Sequence, residues 1–168
     1  MYEKRGFKTP FFFYTQRVKK EIKKRKVIGW REIISLPDLG VAAIKVKVDT
    51  GAATSALHAT GIRYLESHDG ETWVSFVIIE HLQPRKSIRV RAPLVEQRKV
   101  TSSMGHASIR PVIRTNIQVG KHHWPIEITL VNRDPMGFRM LLGRRALKNR
   151  FLVNPTRSFI QSQPREDL

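Results

Sequence analysis

The residues of this chain best placed to do chemistry lie between Lys45 and Ala59, where Asp49-Thr50-Gly51-Ala52 ends one apolar run and opens another. That arrangement puts a carboxylate at the tip of a turn. Gly51 lets backbone N–H groups approach the carboxylate, and Thr50 adds a hydroxyl that can bond a neighbouring segment. An acid held on one side with its outer oxygen free is suited to moving protons. Amide hydrolysis by carboxylates needs two of them, because like charges a few ångströms apart cannot both ionise and so share one proton between an acid and a base. The sequence holds a single Asp-Thr-Gly. By this logic the second Asp49 comes from another copy, and a homodimer is expected. Asp134, in Asn132-Arg133-Asp134-Pro135, is a second candidate, although before proline it also reads as a plain turn former.

Strands must position this turn. Val27 to Ile34 reads as a first strand, Pro37-Asp38-Leu39-Gly40 as a turn, and Val41 to Val48 as the strand into Asp49, with alternation visible in Ala43 to Val48. Thr54 to Ala59 reads as the return strand. Further strands are expected at Thr72–Glu80, Ser87–Ala92, Leu94–Val100, Ala107–Val119, His123–Val131, Arg139–Leu142 and Phe151–Val153, with turns at Ser67-His68-Asp69-Gly70 and Gly120-Lys121. The one helix expected is Arg144–Asn149. Short strands with frequent turn signals indicate an all-β closed barrel with one short C-terminal helix. The chain divides into a basic arm at 1–26, a single domain at 27–161 and a tail at 162–168.

Downstream, Met140-Leu141-Leu142-Gly143-Arg144-Arg145-Ala146-Leu147 pairs an apolar strand with a tight Gly and a helix start. Together with the Asp49 turn it resembles the pattern of retropepsin-type aspartic proteases. With Val27–Glu32, Trp124–Leu130 and the run from Asn132 to Leu147, the chain is similar to one bacterial retropepsin-like family. That family has been labelled an ATP-dependent zinc protease and is associated with the enzymes that ligate glutamate onto ribosomal protein S6. The resemblance implies an acid-protease barrel with Asp49, Thr50 and Gly51 as the catalytic turn and Ala52, Leu142, Gly143 and Arg144 supporting it. It also implies a flap between Val100 and Ile109, where Met104, Gly105 and His106 with Arg110 meet the substrate. Met104 stands where the family tends to carry glycine. Arg110, Arg114, Arg139, Arg144 and Arg145 could read a glutamate-rich substrate through forked hydrogen bonds, and Arg144 could instead brace the loop.

The formal net charge is +17, and the first 26 residues hold ten of the 31 Lys and Arg against Glu3 and Glu21. Such a surface favours acidic partners: an acidic peptide or glutamate-tailed protein, the ribosome, or a glutamate ligase partner. No RNA-recognition sequence is found, and no regular basic–aromatic interleaving is visible in the barrel. There is no cysteine, so no disulfide framework or thiolate chemistry is available. The six His are scattered without His-Glu-x-x-His, His122 and His123 should face opposite sides of a strand, and only His58, near the Asp49 turn, invites suspicion as a ligand. No metal site and no cofactor is therefore expected, and no Gly-x-x-x-x-Gly-Lys-Ser/Thr supports ATP binding. No apolar run reaches a membrane span and no secretory leader is evident, so a cytoplasmic address and no membrane partner are expected. The alternative to a peptidase is a noncatalytic basic adaptor that keeps the Asp49 turn for folding.

Overall fold

The computed structural model describes residues 25–67, 69–80, 86–101, 105–132 and 137–163. Most of the expected basic arm, Met104 and Asp134 lie outside these residues. The chain is mostly β. Its strands are β1 (Lys26–Gly29), β2 (Arg31–Leu36), β3 (Val41–Asp49), β4 (Ser55–His58), β5 (Thr60–Glu66), β6 (Thr72–Ile79), β7 (Ser87–Pro93), β8 (Glu96–Thr101), β9 (Ala107–Val119), β10 (His122–Val131), β11 (Met140–Gly143) and β12 (Phe151–Asn154), with helix α1 at Arg144–Leu147.

The largest sheet runs β10-β4-β11-β3-β2-β9-β8, and a further β9–β10 pairing closes six of these strands into a ring from which β8 projects. Two smaller sheets, β1-β12 and β5-β6-β7, complete the molecule. Alternation accounts for the second half of β3, where Ile44, Val46 and Val48 are buried and the intervening Lys47 is exposed, so that face meets the core. The core joins Ile28, Ile44, Leu57, Phe76, Ile113, Ile128 and Leu142 from different strands. Each such side chain contributes about 1.5–3 kcal/mol on burial.

Several local expectations are corrected. The strand expected from Val27 to Ile34 is two strands broken at Trp30, whose N–H donates to the Arg157 carbonyl at 3.0 Å instead of continuing a ladder. Glu32, fully buried, stabilises this break: its Oε1 accepts from the Gly29 and Ile160 amides and its Oε2 from the Ser162 amide and hydroxyl. The C-terminal segment is thereby fastened across β2. β5, rich in exposed residues, was not expected as a strand; it is held by its ladder to β6. The helix ends at Leu147, short of Asn149, because Lys148 leaves the helical region with ψ at 131°, and Asn149 follows at a left-handed φ of 64°. Finally, β4 does not return alongside β3. β11 lies between them, parallel to β3 and antiparallel to β4.

Candidate active site

The insertion of β11 builds the site. Leu142 pairs with Val48 and Gly143 with Asp49, so the downstream Gly-Arg segment lies directly beside the carboxylate turn. The approach is close: a Cβ on Gly143 would sit 2.6 Å from the Thr54 carbonyl carbon, so only glycine fits. The Gly143 amide donates to Ser55 Oγ at 3.2 Å, and Thr129 Oγ1 donates to the Ser55 carbonyl at 3.1 Å, both in buried surroundings. Helix α1 then grips the loop. The Arg144 and Arg145 amides donate to the carbonyls of Ala52 and Ala53 at 2.9 and 3.1 Å, and the Arg144 guanidinium donates to the Gly51 carbonyl at 2.9 Å. Arg144 thus contacts the loop through both its amide and its guanidinium, and Gly143 lies beside Asp49 in register.

Within the turn, Asp49 Oδ1 accepts from the Gly51 and Ala52 amides at 3.0 and 3.1 Å. Among the described residues no hydrogen bond is made to its Oδ2. The side chain is half-buried at the edge of a cavity of about 650 Å³ lined by residues including Ala52, Thr54, Thr129, Leu141, Arg98, Lys99, Arg110 and Arg145. Asp49 is the one carboxylate among those lining residues. Thr50 points elsewhere, exposed beside a second hollow of about 540 Å³ that it lines with Arg144, Leu147, Phe151 and Val153.

The segment expected to carry a flap is flanked by β8 and β9, which pair in antiparallel register from Glu96↔Val112 to Thr101↔Ala107. Gly105 and His106 are exposed near its tip, and Arg110 reaches the cavity. Of the other arginines named from sequence, Arg145 lines the cavity, whereas Arg114 and Arg139 are not among its lining residues.

Arg98, also at the cavity, went unremarked in the sequence. It donates to Glu127 Oε2 at 2.7 Å and to Thr54 Oγ1 at 3.1 Å, and pairs with Glu96. The Glu127 hydrogen bond is the main reason its guanidinium holds its proton even more firmly than usual. Nothing in the linear pattern marks it, since Thr54, Glu96 and Glu127 come from separate elements.

His58 is buried in β4 and is not among the cavity's lining residues. His122 is half-buried and His123 exposed, in keeping with opposite faces. Among the described residues no three His, Asp or Glu side chains come close enough to hold a metal ion, so the zinc named in the family label finds no fitting donor set there. No helix among them is long and apolar enough to cross a membrane.

Comparison with known proteins places this geometry. Residues 27–164 match the family model described as RimB-like, retropepsin-like aspartic endopeptidase RimB. A protein of Desulfotalea psychrophila named probable alpha-L-glutamate ligase is 45% identical over 132 residues, covering 78% of this chain and 28% of that protein. Identically named proteins of Shewanella pealeana and Parasynechococcus marenigrum are 47% and 44% identical, over 79% and 86% of this chain. The chain spans under a third of these relatives' length, 28–31%. Among solved structures, a protein of unknown function from Legionella pneumophila superposes with a TM-score of 0.67 at 26% identity, covering 81% of this chain and 98% of that one.

Proposed function

Because the chain belongs to the RimB-like family of retropepsin-like aspartic endopeptidases, we propose that it is an aspartic peptidase in which Asp49 activates water for amide hydrolysis. The observation that carries this reading is the asymmetry of the Asp49 carboxylate. Oδ1 is held by the Gly51 and Ala52 amides, while Oδ2 has no hydrogen bond among the described residues and adjoins the cavity. In this reading the strand ring is the retropepsin-like barrel, and the absence of another carboxylate among the cavity's lining residues is made good by Asp49 of a second copy. Exposed Thr50 suits contact across the two-fold axis.

Two facing Asp49 side chains hold one proton between them. The ionised one deprotonates a water, which attacks the amide carbon; the protonated one donates a hydrogen bond to the developing oxyanion, and a proton passes to the departing amine. Thr50 and Gly51 keep the turn rigid, Ala52, Leu142, Gly143 and Arg144 hold it from beneath, and the β8–β9 hairpin carries the flap, in which Gly105, His106 and, by the family resemblance, Met104 meet the substrate.

Lys99, Arg110 and Arg145 at the cavity, with the +17 net charge, suit an acidic substrate. The relatives' name adds a link to glutamate ligation. The substrate is then a glutamate-tailed protein such as ribosomal protein S6, from which added glutamates are trimmed in the cytoplasm, with a glutamate ligase as functional partner. The high charge also favours a second reading, a basic adaptor whose binding does not need the Asp49 carboxylate.

Mass spectrometry of an oligoglutamate-tailed peptide separates the two. Loss of glutamates with wild type but not with Asp49→Asn, insensitive to a chelator, is the expected result. Equal trimming by Asp49→Asn, or trimming abolished by the chelator, would overturn the aspartic mechanism. Undiminished partner binding with no trimming by either protein would favour the adaptor.

A further inference from the structure

The three-stranded sheet β5-β6-β7 has a use that the Asp49 site leaves unexplained. Its inner face is assigned by burial: Val74, Phe76 and Ile78 of β6 and Val90 and Ala92 of β7 belong to the core. The opposite face follows from the strict alternation of a strand. Register then fixes who stands beside whom. Arg63 of β5 and Arg91 of β7 both pair with Ser75 of β6, Arg89 pairs with Val77, and Leu65 and Pro93 both pair with Trp73.

The outer face is therefore a trough. Its floor is the central strand, with half-buried Trp73, Val77 and Ile79 and a buried Ser75; its rims carry the exposed Arg63 on one side and Arg89 and Arg91 on the other. With strands about 4.8 Å apart, the rims stand roughly 10 Å from each other, and Arg89 and Arg91 are about 6.7 Å apart along their strand. Among the described residues no side chain of the three arginines takes part in an ion pair or hydrogen bond, and no Asp or Glu belongs to this face in the two registers. Fixed cations left without counter-charges are costly to cluster unless a polyanion neutralises them.

We propose that this face binds single-stranded nucleic acid, with the phosphodiester backbone on Arg63, Arg89 and Arg91 and a base against Trp73 and the apolar floor. The combination discriminates between polyanions. An acidic peptide would use the rims and leave Trp73, Val77 and Ile79 idle, whereas a polynucleotide carries both an anionic backbone and flat apolar faces, the pairing that stacking platforms exploit. The site lies on a different sheet from Asp49 and is independent of the peptidase reading. Along the sequence Trp73 and the arginines beside its strand neighbours Ser75 and Val77 sit on three separate strands, which hides the basic–aromatic clustering from a linear reading.

The test is fluorescence anisotropy of a labelled single-stranded oligouridylate with the full chain over a series of salt concentrations. Substituting Arg63→Gln, Arg89→Gln and Arg91→Gln together should weaken binding at least tenfold and flatten the log–log salt dependence by about 2, for three phosphate contacts on a single strand. A control with Lys47→Gln, Arg114→Gln and Lys121→Gln, equal in lost charge, should change both far less. Trp73→Ala should weaken binding several-fold with the salt slope unchanged, its melting curve reporting whether it stays folded. Equal losses in the two triple variants would overturn the proposal by making the binding diffuse electrostatics. Displacement of the RNA by oligoglutamate of matched charge, with the same dependence on the three arginines and on Trp73, would also overturn it and reassign the face to acidic peptides.

Discussion

Gly143 lies in parallel register directly beside Asp49, yet the two come from opposite ends of the domain. The contact works only because Gly143 has no side chain: the position its Cβ would take is already occupied by the Thr54 backbone, 2.6 Å away at the carbonyl carbon and 2.9 Å away at the Ser55 nitrogen. The carboxylate turn is thus held in place by backbone packing against backbone, which leaves little freedom for Asp49 to move.

Replacing Gly143 by alanine should therefore destabilise the protein and spoil the site together. Overpacking of this kind costs about 1–3 kcal/mol, or a fall of roughly 3–10 °C in Tm for a chain of this size. Thermal melting followed by circular dichroism checks it. An unchanged Tm would mean that the Thr54 loop yields freely, and that the close approach does not hold Asp49.

From β8, Arg98 at the cavity ties its strand to β10 through Glu127 and to the exit of the Asp49 turn through Thr54, and it also pairs with Glu96 of its own strand. Arg98→Lys keeps the charge and loses the fork, so it should free the β8–β9 hairpin nearly as much as Arg98→Ala. Because these groups are partly exposed, the effect on global stability should be below about 1 kcal/mol. Amide hydrogen exchange should show faster exchange across β8 and the facing half of β9 in both variants. Exchange as slow as in wild type would remove the tether from the account.

Asp38 supplies a pH dependence whose sign can be worked out. Its carboxylate accepts from the Asn116 amide at 2.7 Å, from Asn116 Nδ2 and from Thr115 Oγ1. Chiefly because of the Asn116 backbone bond, the folded carboxyl titrates below its ordinary value of 3.8. The unfolded chain takes up the proton first as the pH falls. The stabilisation is therefore complete above that ordinary value and is lost as pH drops through the lowered one. In urea titrations the stability gap between wild type and Asp38→Asn should narrow from about pH 5 to about pH 3. A gap of constant size would mean that Asp38 acts through shape alone.

Much of the fold was legible because strands advertise themselves. β3, β9 and β10 alternate clearly, and the Gly120-Lys121 turn marks the hairpin between the last two. β5 was missed because an edge strand with Arg63, Tyr64 and Glu66 exposed has little apolar alternation to show. Trp30 looked like the middle of a strand, and the break there depends on Glu32 and the Arg157 carbonyl, which no local pattern announces.

The sequence by itself determined the chemical element of the site, an Asp-Thr-Gly-Ala turn with amides two and three residues on that can hold one carboxylate oxygen, since those contacts are local and follow from backbone geometry. The motif at Met140–Leu147, through the family it resembles, also pointed to Gly143 and Arg144 as partners of that turn, and both touch or adjoin it. Only the tertiary structure decided how: β11 wedged between β3 and β4, Arg98 reaching Thr54, and Arg63, Arg89 and Arg91 brought beside Ser75 and Val77 on the strand that carries Trp73. Those relationships join residues far apart in the chain. They are set by strand order and register, which depend on the summed burial of the whole core and leave no mark in any one stretch of sequence.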